Sequence, residues 1–209
     1  MTDKALSPRE ARRQQRIDLS REQILDTAEQ LFSERGYHDT GLKDVAELCE
    51  FSVGSIYSFF DSKDHLYQEV LMRRGPAQVA EMRTIVARDV PATERLAAMA
   101  RLQIDYFRRY PAWGRLTTQV LTVGLRQAGA VPAGFAAAYR DAIDVEVELF
   151  RAGQREGTLR AGDPHALARL FSSLVTAFHS MDPEISDDSA DLGADDFLGF
   201  VERAFGAEE

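Results

Sequence analysis

Two short apolar patterns separated by a tight turn lie between Asp39 and Asp64, and they constrain the chain more than any other feature. The first pattern predicts a helix from Leu42 to Cys49, with apolar side chains at helical spacing on one face. Ser52 predicts the start of a second helix from Val53 to Phe60, because its hydroxyl can accept from the free N–H groups there. Two short helices joined in this way are typical of a helix-turn-helix, whose second helix enters the major groove of DNA.

The second predicted helix has an inward and an outward side. Ile56, Phe59 and Phe60 are expected to anchor it inward. Its outward side carries small or hydroxyl-bearing residues and one phenol, which suits a groove about 12 Å wide. Glycine in this helix lets the backbone approach a phosphate closely. The predicted DNA contacts of the helix and its cap are Ser52, Val53, Gly54, Ser55, Tyr57 and Ser58.

The run from Ser20 to Leu71 resembles the N-terminal domain of the TetR family of transcriptional regulators. The resemblance rests on the segments ILDTAEQLFSERGY, LKDVAE and SVGSIYSFFDSKDHLYQEVL. It implies an all-α fold with an N-terminal three-helix helix-turn-helix DNA-binding domain and a C-terminal helical ligand-binding and dimerisation domain. The expected divisions are a flexible basic arm (1–19), the helix-turn-helix domain (20–66) and the ligand-binding and dimerisation domain (67–209).

Three positions depart from the family pattern. Glu50 lies in the turn where the family usually has glycine, so we expect a left-handed or bridge conformation at a residue with a Cβ. Gly41 replaces the common threonine at the start of the first short helix, and Thr40 is expected to take over its phosphate contact. Val53 and Ser58 stand where many members carry basic or larger polar residues, so the sequence does not give the operator.

Basic residues outside the second helix complete the predicted DNA contacts. Lys43 lies on the outer face of the first short helix. Lys63 lies in the first turn of the next helix, whose amino end attracts phosphate, and we expect it to hold a phosphate together with Tyr57. The net charge of −9 is unusual for a nucleic-acid binder, since phosphate affinity is largely electrostatic.

The first nineteen residues hold the remaining predicted contacts, Arg12, Arg13 and Arg16. We expect a flexible arm there, because charges are many and large apolar side chains few. A solubilising tail and a short helix from Pro8 to Ile17 formed on DNA are the alternatives. Ser20 and Gln23 predict a capping box that begins the first firm helix, which Gly36 ends.

Helical periodicity continues to the end of the chain. A helix from Lys63 to about Arg88 is expected to be kinked or divided at Pro76. The later predicted helices run from about Thr93 to Pro111, Trp113 to Arg126, Phe135 to Arg155, Pro164 to Met181 and Ala194 to Phe205.

The family resemblance implies a ligand cavity within the C-terminal helices. The aromatic and hydroxyl residues expected to contact the ligand are Tyr106, Phe107, Tyr110, Trp113, Thr117, Phe135 and Tyr139. A mainly apolar lining favours a hydrophobic or aromatic molecule, and plain core packing is the alternative for each residue.

The resemblance also implies that the last two helices pair with their symmetry mates in a homodimer. The residues expected at this interface are Leu167, Leu170, Phe171, Leu174, Phe178, Phe197, Phe200, Val201 and Phe205. Pairing would present two DNA-reading helices about 34 Å apart. The alternative is that both apolar stripes only close the core of one chain.

Motifs of catalysis are absent from the sequence. It contains no GxSxG, P-loop or HExxH motif, and the lone Cys49 excludes a CxxC pair. The acidic run from Asp182 to Asp196, which includes Asp187, Asp188 and Asp191, lacks EF-hand spacing, so we expect no metal and no cofactor. No apolar run reaches the ~20 residues of a membrane span, and one cysteine favours a reducing cytoplasm.

The sequence therefore predicts a cytoplasmic, homodimeric transcriptional regulator and no enzyme. Its expected partners are a double-stranded DNA operator and an unidentified small molecule that releases a repressor from a palindromic site. An activator and a dimeric binding protein with a degenerate helix-turn-helix are the alternatives.

Overall fold

The computed structural model describes residues 7–126, 131–182 and 192–207, and the secondary structure in these ranges is helical apart from one isolated bridge. The all-α fold expected from the sequence is confirmed. The ten helices of the described ranges are α1 (Pro8–Arg35), α2 (Leu42–Leu48), α3 (Val53–Tyr57), α4 (Lys63–Met72), α5 (Gly75–Val86), α6 (Ala92–Arg109), α7 (Pro111–Arg126), α8 (Ala133–Glu156), α9 (Pro164–Met181) and α10 (Ala194–Phe205).

The chain divides into two compact units, Met1–Val70 and Leu71–Glu209. The division lies four residues after the predicted boundary at residue 66, and Leu66 and Val70 of α4 are both fully buried. Among the described residues no helix combines the length and the apolar character needed to cross a membrane.

The first unit has an apolar core made by all of its helices. Ile24, Ala28 and Phe32 of α1 are fully buried, spaced at four residues on one face. Phe32 packs edge-on against Tyr67 of α4, with ring centroids 5.0 Å apart. The other buried side chains of this core are Leu25, Leu31, Val45, Ala46, Cys49, Ile56, Phe60, Leu66 and Val70. These contacts explain why helices as short as α2 and α3 are held in place.

Helix α1 begins twelve residues before the predicted start at Ser20, so the prediction of a separate arm is wrong for residues 8–19. The capping box is formed by Ser7 and Glu10, with Pro8 in the first turn, and not by Ser20 and Gln23. Glycine is absent from residues 9–19 and proline occurs only at the start, so nothing interrupts the helix. These residues carry few large apolar side chains, which is why the sequence alone favours an arm here. Residues 1–6 lie outside the described residues.

The second unit is a helical bundle around one large core. Met99, Leu149, Phe150 and Phe171 are fully buried members of this core, on α6, α8 and α9. The end of α10 joins it, since the ring of Phe205 lies 5.4 Å from that of Phe150. An isolated bridge between Leu159 and Gly206 holds the chain after α8 against the end of α10.

Several predicted helix boundaries in this unit are confirmed. The expected division at Pro76 is present, because α4 ends at Met72 and α5 begins at Gly75 with the proline in its first turn. Gly157 ends α8 in the left-handed conformation, with φ +70°. Asp163 caps α9 by accepting from the amide of His165. Of the acidic run, residues 183–191, with Asp187, Asp188 and Asp191, lie outside the described residues.

Most of the residues predicted for the dimer interface are buried inside the chain itself. Phe178 and Phe197 stack with centroids 4.5 Å apart. Phe171, Val201 and Phe205 belong to the same core as this pair, while Leu167 and Leu174 are partly buried against it. Of the predicted set, only Leu170 (57% exposed) and Phe200 (46%) remain exposed. The interface prediction is therefore wrong for the five fully buried residues, since an amphipathic stripe does not reveal which surface covers it.

Candidate nucleic-acid interface and ligand cavity

The turn between α2 and α3 follows a Schellman motif. The amide of Phe51 donates to the carbonyl of Ala46 at 2.8 Å, and the amide of Glu50 donates to that of Glu47 at 3.2 Å. Glu50 occupies the left-handed position with φ +59°, and it is the only non-glycine residue in the described ranges with positive φ. The expected unusual backbone conformation at this position is confirmed. This sharp turn sets the angle at which α3 leaves α2.

Helix α3 is held at its start by its own hydroxyl groups. Ser52 Oγ accepts from the amide of Ser55 at 3.0 Å, as predicted for the cap. The hydroxyls of Ser52 and Ser55 lie 2.8 Å apart, and Ser58 Oγ donates to the carbonyl of Ser55 at 2.7 Å. The helix ends at Tyr57, three residues before the predicted end at Phe60.

One side of α3 is buried and the other is open. Ile56 is fully buried, and so is Phe60 just after the helix. On the opposite side Val53 and Tyr57 are exposed, and Tyr57 keeps 54% of its surface. Gly54 lies between them and is exposed. A short helix that presents apolar and phenolic side chains to solvent can contact base edges and thymine methyl groups in a major groove.

The start of α2 differs from the expectation. Thr40 is only 1% exposed, and its hydroxyl donates to the carbonyl of Gly36 at 2.8 Å, so it closes the end of α1 and is not presented to a phosphate. Gly41 caps α2 without a side chain, and Asp44 accepts from its amide at 2.7 Å. Lys43 is exposed on the outer face, where a phosphate contact is possible.

Lys63 is positioned by its neighbours in the first unit. Its Nζ lies 4.2 Å from the ring centroid of Tyr37 and donates to the carbonyl of His38 at 3.3 Å. The hydroxyl of Tyr37 donates in turn to Asp64, and this hydrogen bond raises the pKa of Tyr37. Ser62 caps α4 as expected, through the amide of His65 at 3.1 Å. The lysine is therefore held beside the amino end of α4.

The extension of α1 arranges the N-terminal arginines in a stripe. Arg9, Arg12, Arg13 and Arg16 are spaced at three and four residues, so they share one face of the helix, and all four are exposed. Farther along, Gln23 Nε2 donates to the carbonyl of Cys49 at 3.3 Å and so ties α1 to the end of α2. A basic helical face of this kind attracts the phosphate backbone of DNA.

A cavity of about 70 Å³ lies within the second unit. Five of the seven residues predicted to contact a ligand line it: Phe107, Trp113, Thr117, Phe135 and Tyr139. Other lining residues include Leu71, Gln78, Gln103, Glu146, Ser172 and Thr176. The lining is mainly apolar and aromatic, with a few polar groups, as in ordinary small-molecule sites.

Two of the predicted ligand residues do not line the cavity. Tyr106 donates its hydroxyl to the carbonyl of Arg74 at 2.8 Å, and its ring packs edge-on against Trp113. Tyr110 packs under the guanidinium of Arg74, 3.9 Å from its ring centroid. Both tyrosines therefore support the turn between α4 and α5. Trp113 belongs to the cavity and to this support, since its Nε1 donates to the carbonyl of Leu71 at 3.1 Å.

One buried acid lies among the lining residues. Glu146 is 2% exposed, and its Oε1 accepts from Gln103 Nε2 at 2.9 Å. Among the described residues its Oε2 has no hydrogen-bond partner. Burial in an apolar environment raises the pKa of Glu146 to about 8, and the hydrogen bond from Gln103 offsets this only in part. The polar groups of Tyr139 and Ser172 approach each other within 3.5 Å in the same lining.

Sequence reasoning missed Glu146 and Gln103, although both interrupt an apolar stripe. Glu146 follows Ile143 by three residues and precedes Phe150 by four, so it occupies a core position of α8. Gln103 precedes Phe107 by four residues on α6. A polar residue at a core position of an amphipathic helix was the available signal.

Metal and thiol chemistry has little support in the part of the chain described. No group of three or more His, Cys, Asp or Glu side chains there is placed to hold a metal ion. Cys49 is 3% exposed, and its Sγ contacts the carbonyl of Val45. Burial raises the pKa of this thiol, which disfavours the reactive thiolate.

The sequence comparisons agree with this geometry in the N-terminal region. Residues 24–70 match the family profile of bacterial regulatory proteins, tetR family. The regulator UidR of Escherichia coli (strain K12) is 33% identical over 64 residues, 31% of this chain and 33% of UidR. The repressor KstR2 of Rhodococcus jostii is 34% identical over 79 residues (38% and 39%), and the activator FasR of Mycolicibacterium smegmatis 32% over 89 (43% and 41%). The chain thus aligns with about a third to two fifths of these relatives.

The structural comparisons extend over most of the chain. KstR2 of Mycobacterium tuberculosis superposes with a TM-score of 0.74 at 19% identity, covering 90% of this chain and 96% of that one. A transcriptional regulator from Saccharomonospora viridis in complex with choline gives 0.71 at 22% identity, covering 91% and 100%. At these identities the likeness shows a shared fold.

Proposed function

We propose that the chain belongs to the TetR family of bacterial regulatory proteins and is a DNA-binding transcriptional regulator, most simply a repressor acting in the cytoplasm. The observation that carries the proposal is the orientation of α3. Ile56 and Phe60 fix the helix from behind, while Val53 and Tyr57 are left exposed in front. An aliphatic and a phenolic side chain exposed to water without a structural role fit a surface that meets the groove of a duplex.

Phosphate contacts would come from the rest of the first unit. Lys43, Lys63 and the arginine stripe of α1 are the basic groups available, and the net charge of the chain is −9. The acidic balance of the whole chain opposes these contacts, so one subunit alone should bind DNA weakly. Two subunits acting together on a two-fold site would compensate for this weakness.

The test is selection of binding sequences from random duplex DNA by the purified chain, followed by footprinting on DNA that flanks its own coding region. We expect a palindromic site whose affinity falls at least tenfold in Tyr57→Ala. Gln30→Ala, at an exposed position of α1, is the matched control and should bind normally. Selection of no sequence at moderate salt would contradict the proposal and favour a helix-turn-helix that serves only as scaffold.

We infer that the dimer forms through a second apolar face of α9 and α10. Leu170, Leu174 and Met181 follow one another at helical spacing on α9, and Leu170 and Met181 are exposed. Phe200 is the exposed apolar residue of α10. Contiguous exposed apolar residues of this type mark contact surfaces, and four helices from two chains would bury them.

Control by a small molecule would act through the cavity. Its volume of about 70 Å³ is well below the ~300–1,000 Å³ of ordinary ligand sites, so an entering molecule must displace wall side chains. Leu71 in that wall is part of α4, the helix that also carries Lys63. A ligand that binds better to the displaced arrangement would shift the population away from the DNA-binding state.

Activation is the second candidate, since the relatives include the activator FasR as well as the repressor KstR2. The two are separated by in vitro transcription from a promoter that carries the selected site. A repressor lowers transcript yield on addition of the protein, and an activator raises it.

A further inference from the structure

The carboxyl group of Glu146 is the feature of the second unit that its packing leaves incomplete. Buried polar atoms nearly always have a partner, because an unpaired one forfeits its interaction with water. Glu146 Oε1 is paired with Gln103, while Oε2 has no partner among the described residues and belongs to a side chain that lines the cavity. A molecule bound in the cavity can supply the missing partner.

The other lining residues limit what that partner can be. Among the described residues that line the cavity, Glu146 is the only Asp, Glu, Lys, Arg or His, and Tyr139 is the only other titratable group. The polar groups facing it are uncharged: Gln78 on α5, Gln103 on α6, Thr117 on α7, and Ser172 and Thr176 on α9. An anionic ligand would find no countercharge. A cation would find aromatic ring faces and one carboxyl group that can ionise to pair with it.

We propose that the ligand is an organic cation with an apolar body, and that Glu146 Oε2 pairs with its positive charge beside the rings of Phe107, Trp113 and Tyr139. This inference rests on the proposed ligand-binding role of the cavity and names the class of molecule. Gln103 is a positioning residue, because its Nε2 donates to Oε1 at 2.9 Å and leaves Oε2 as the oxygen without a partner among the described residues.

Binding of a cation is linked to the protonation of Glu146. With a pKa of about 8 the carboxyl group of the free protein is mainly protonated at neutral pH. A cation pairs with the ionised form, so binding releases this proton to solvent. The affinity for a cation that does not itself titrate should rise about tenfold per pH unit below 8 and level off above it.

The experiment compares two probes of the same shape, benzyltrimethylammonium and its uncharged carbon isostere 2,2-dimethylpropylbenzene. Trp113 lines the cavity and is the single tryptophan of the chain, so its fluorescence reports binding to the full-length protein. We expect the cation to bind at least tenfold more tightly than the isostere at pH 8. Glu146→Gln should remove this preference, whereas Glu148→Gln, the same change at an exposed position of α8, should keep it.

Three results would overturn the inference: no saturable binding of the cation at millimolar concentration, equal affinity for the two probes, or a preference for the cation that survives in Glu146→Gln. Preferential binding of the isostere would assign the cavity to neutral molecules. The pH dependence in the unaltered protein tests the same point without any variant. DNA selection without ligand is a separate measurement, so failure of the regulator proposal and failure of this inference are distinguishable.

Discussion

Glu50 shows how a single residue stores strain in the helix-turn-helix. A left-handed conformation costs an L-residue roughly 1–2 kcal/mol, and glycine avoids most of this cost but loses more entropy on folding. We expect Glu50→Gly to raise the free energy of unfolding by about 1 kcal/mol. Urea denaturation measures the change. Glu47→Gly, at a helical position of α2, is the control and should lower the same free energy by about 1 kcal/mol.

A substitution at Gly54 should change DNA affinity without changing the stability of the fold. A Cβ at this position would meet no atom of the protein closer than Ser52 Oγ at 3.8 Å, so Gly54→Ala should leave the unfolding free energy unchanged or slightly higher. If the backbone of α3 approaches a phosphate, the added methyl group should lower affinity for the selected site at least tenfold, as measured by fluorescence anisotropy. Unchanged affinity would move the contact away from this glycine.

Helix α9 carries two apolar faces, one buried in the core and one exposed to solvent. The face of Phe171, Val175 and Phe178 closes the core, and the face of Leu170 and Met181 stays exposed. We expect Leu170→Asp combined with Phe200→Asp to yield a folded monomer in light scattering, because neither side chain is needed by the core. Thr84→Asp, exposed on α5, should remain dimeric. A dimer that persists in the double variant would place the interface elsewhere.

The same helices show what the sequence could predict. Caps and breakers are local, so Ser52, Asp163 and Gly157 located helix ends correctly. Burial is not local: the apolar stripes of α9 and α10 predicted a covered face, but not whether the chain or a partner covers it. The start of α1 was missed because propensity and a capping box at Ser7 form a helix without any buried face. Glu146 was missed because charged residues are usually exposed, although its spacing from Ile143 and Phe150 places it on the buried face of α8.

Over the whole second unit, two buried groups make stability depend on pH in opposite directions. Burial lowers the pKa of His179 to about 4, so the neutral ring contributes stability that is lost as pH falls from the unfolded value of 6.5. Burial raises the pKa of Glu146 from 4.5 to about 8, so its protonated form contributes stability that is lost as pH rises through this range. Both losses come from desolvation of the charged form.

Glu146→Gln should therefore remove the loss of stability that the carboxyl group causes as pH rises. We expect the unfolding free energy of the variant to rise relative to that of the unaltered protein between pH 5 and pH 8, by roughly 3 to 4 kcal/mol. Urea denaturation at both pH values measures the difference. Parallel pH profiles for the two proteins would show that the carboxyl group is already ionised in the folded state.

Helix α1 consists of a first stretch that packs against no core and a second stretch that is buried in the core of the first unit. Residues 8–19 have no buried side chain, with Leu19 63% exposed, while Ile24 and Phe32 are fully buried. Amide protons of the first stretch should exchange with deuterium through local fraying, and those from Ile24 onward only when the whole unit opens. A DNA duplex that contacts the arginines would slow amide exchange in the first stretch alone. The exchange rates along this one helix would then show which residues are ordered by folding of the chain and which are ordered by contact with DNA.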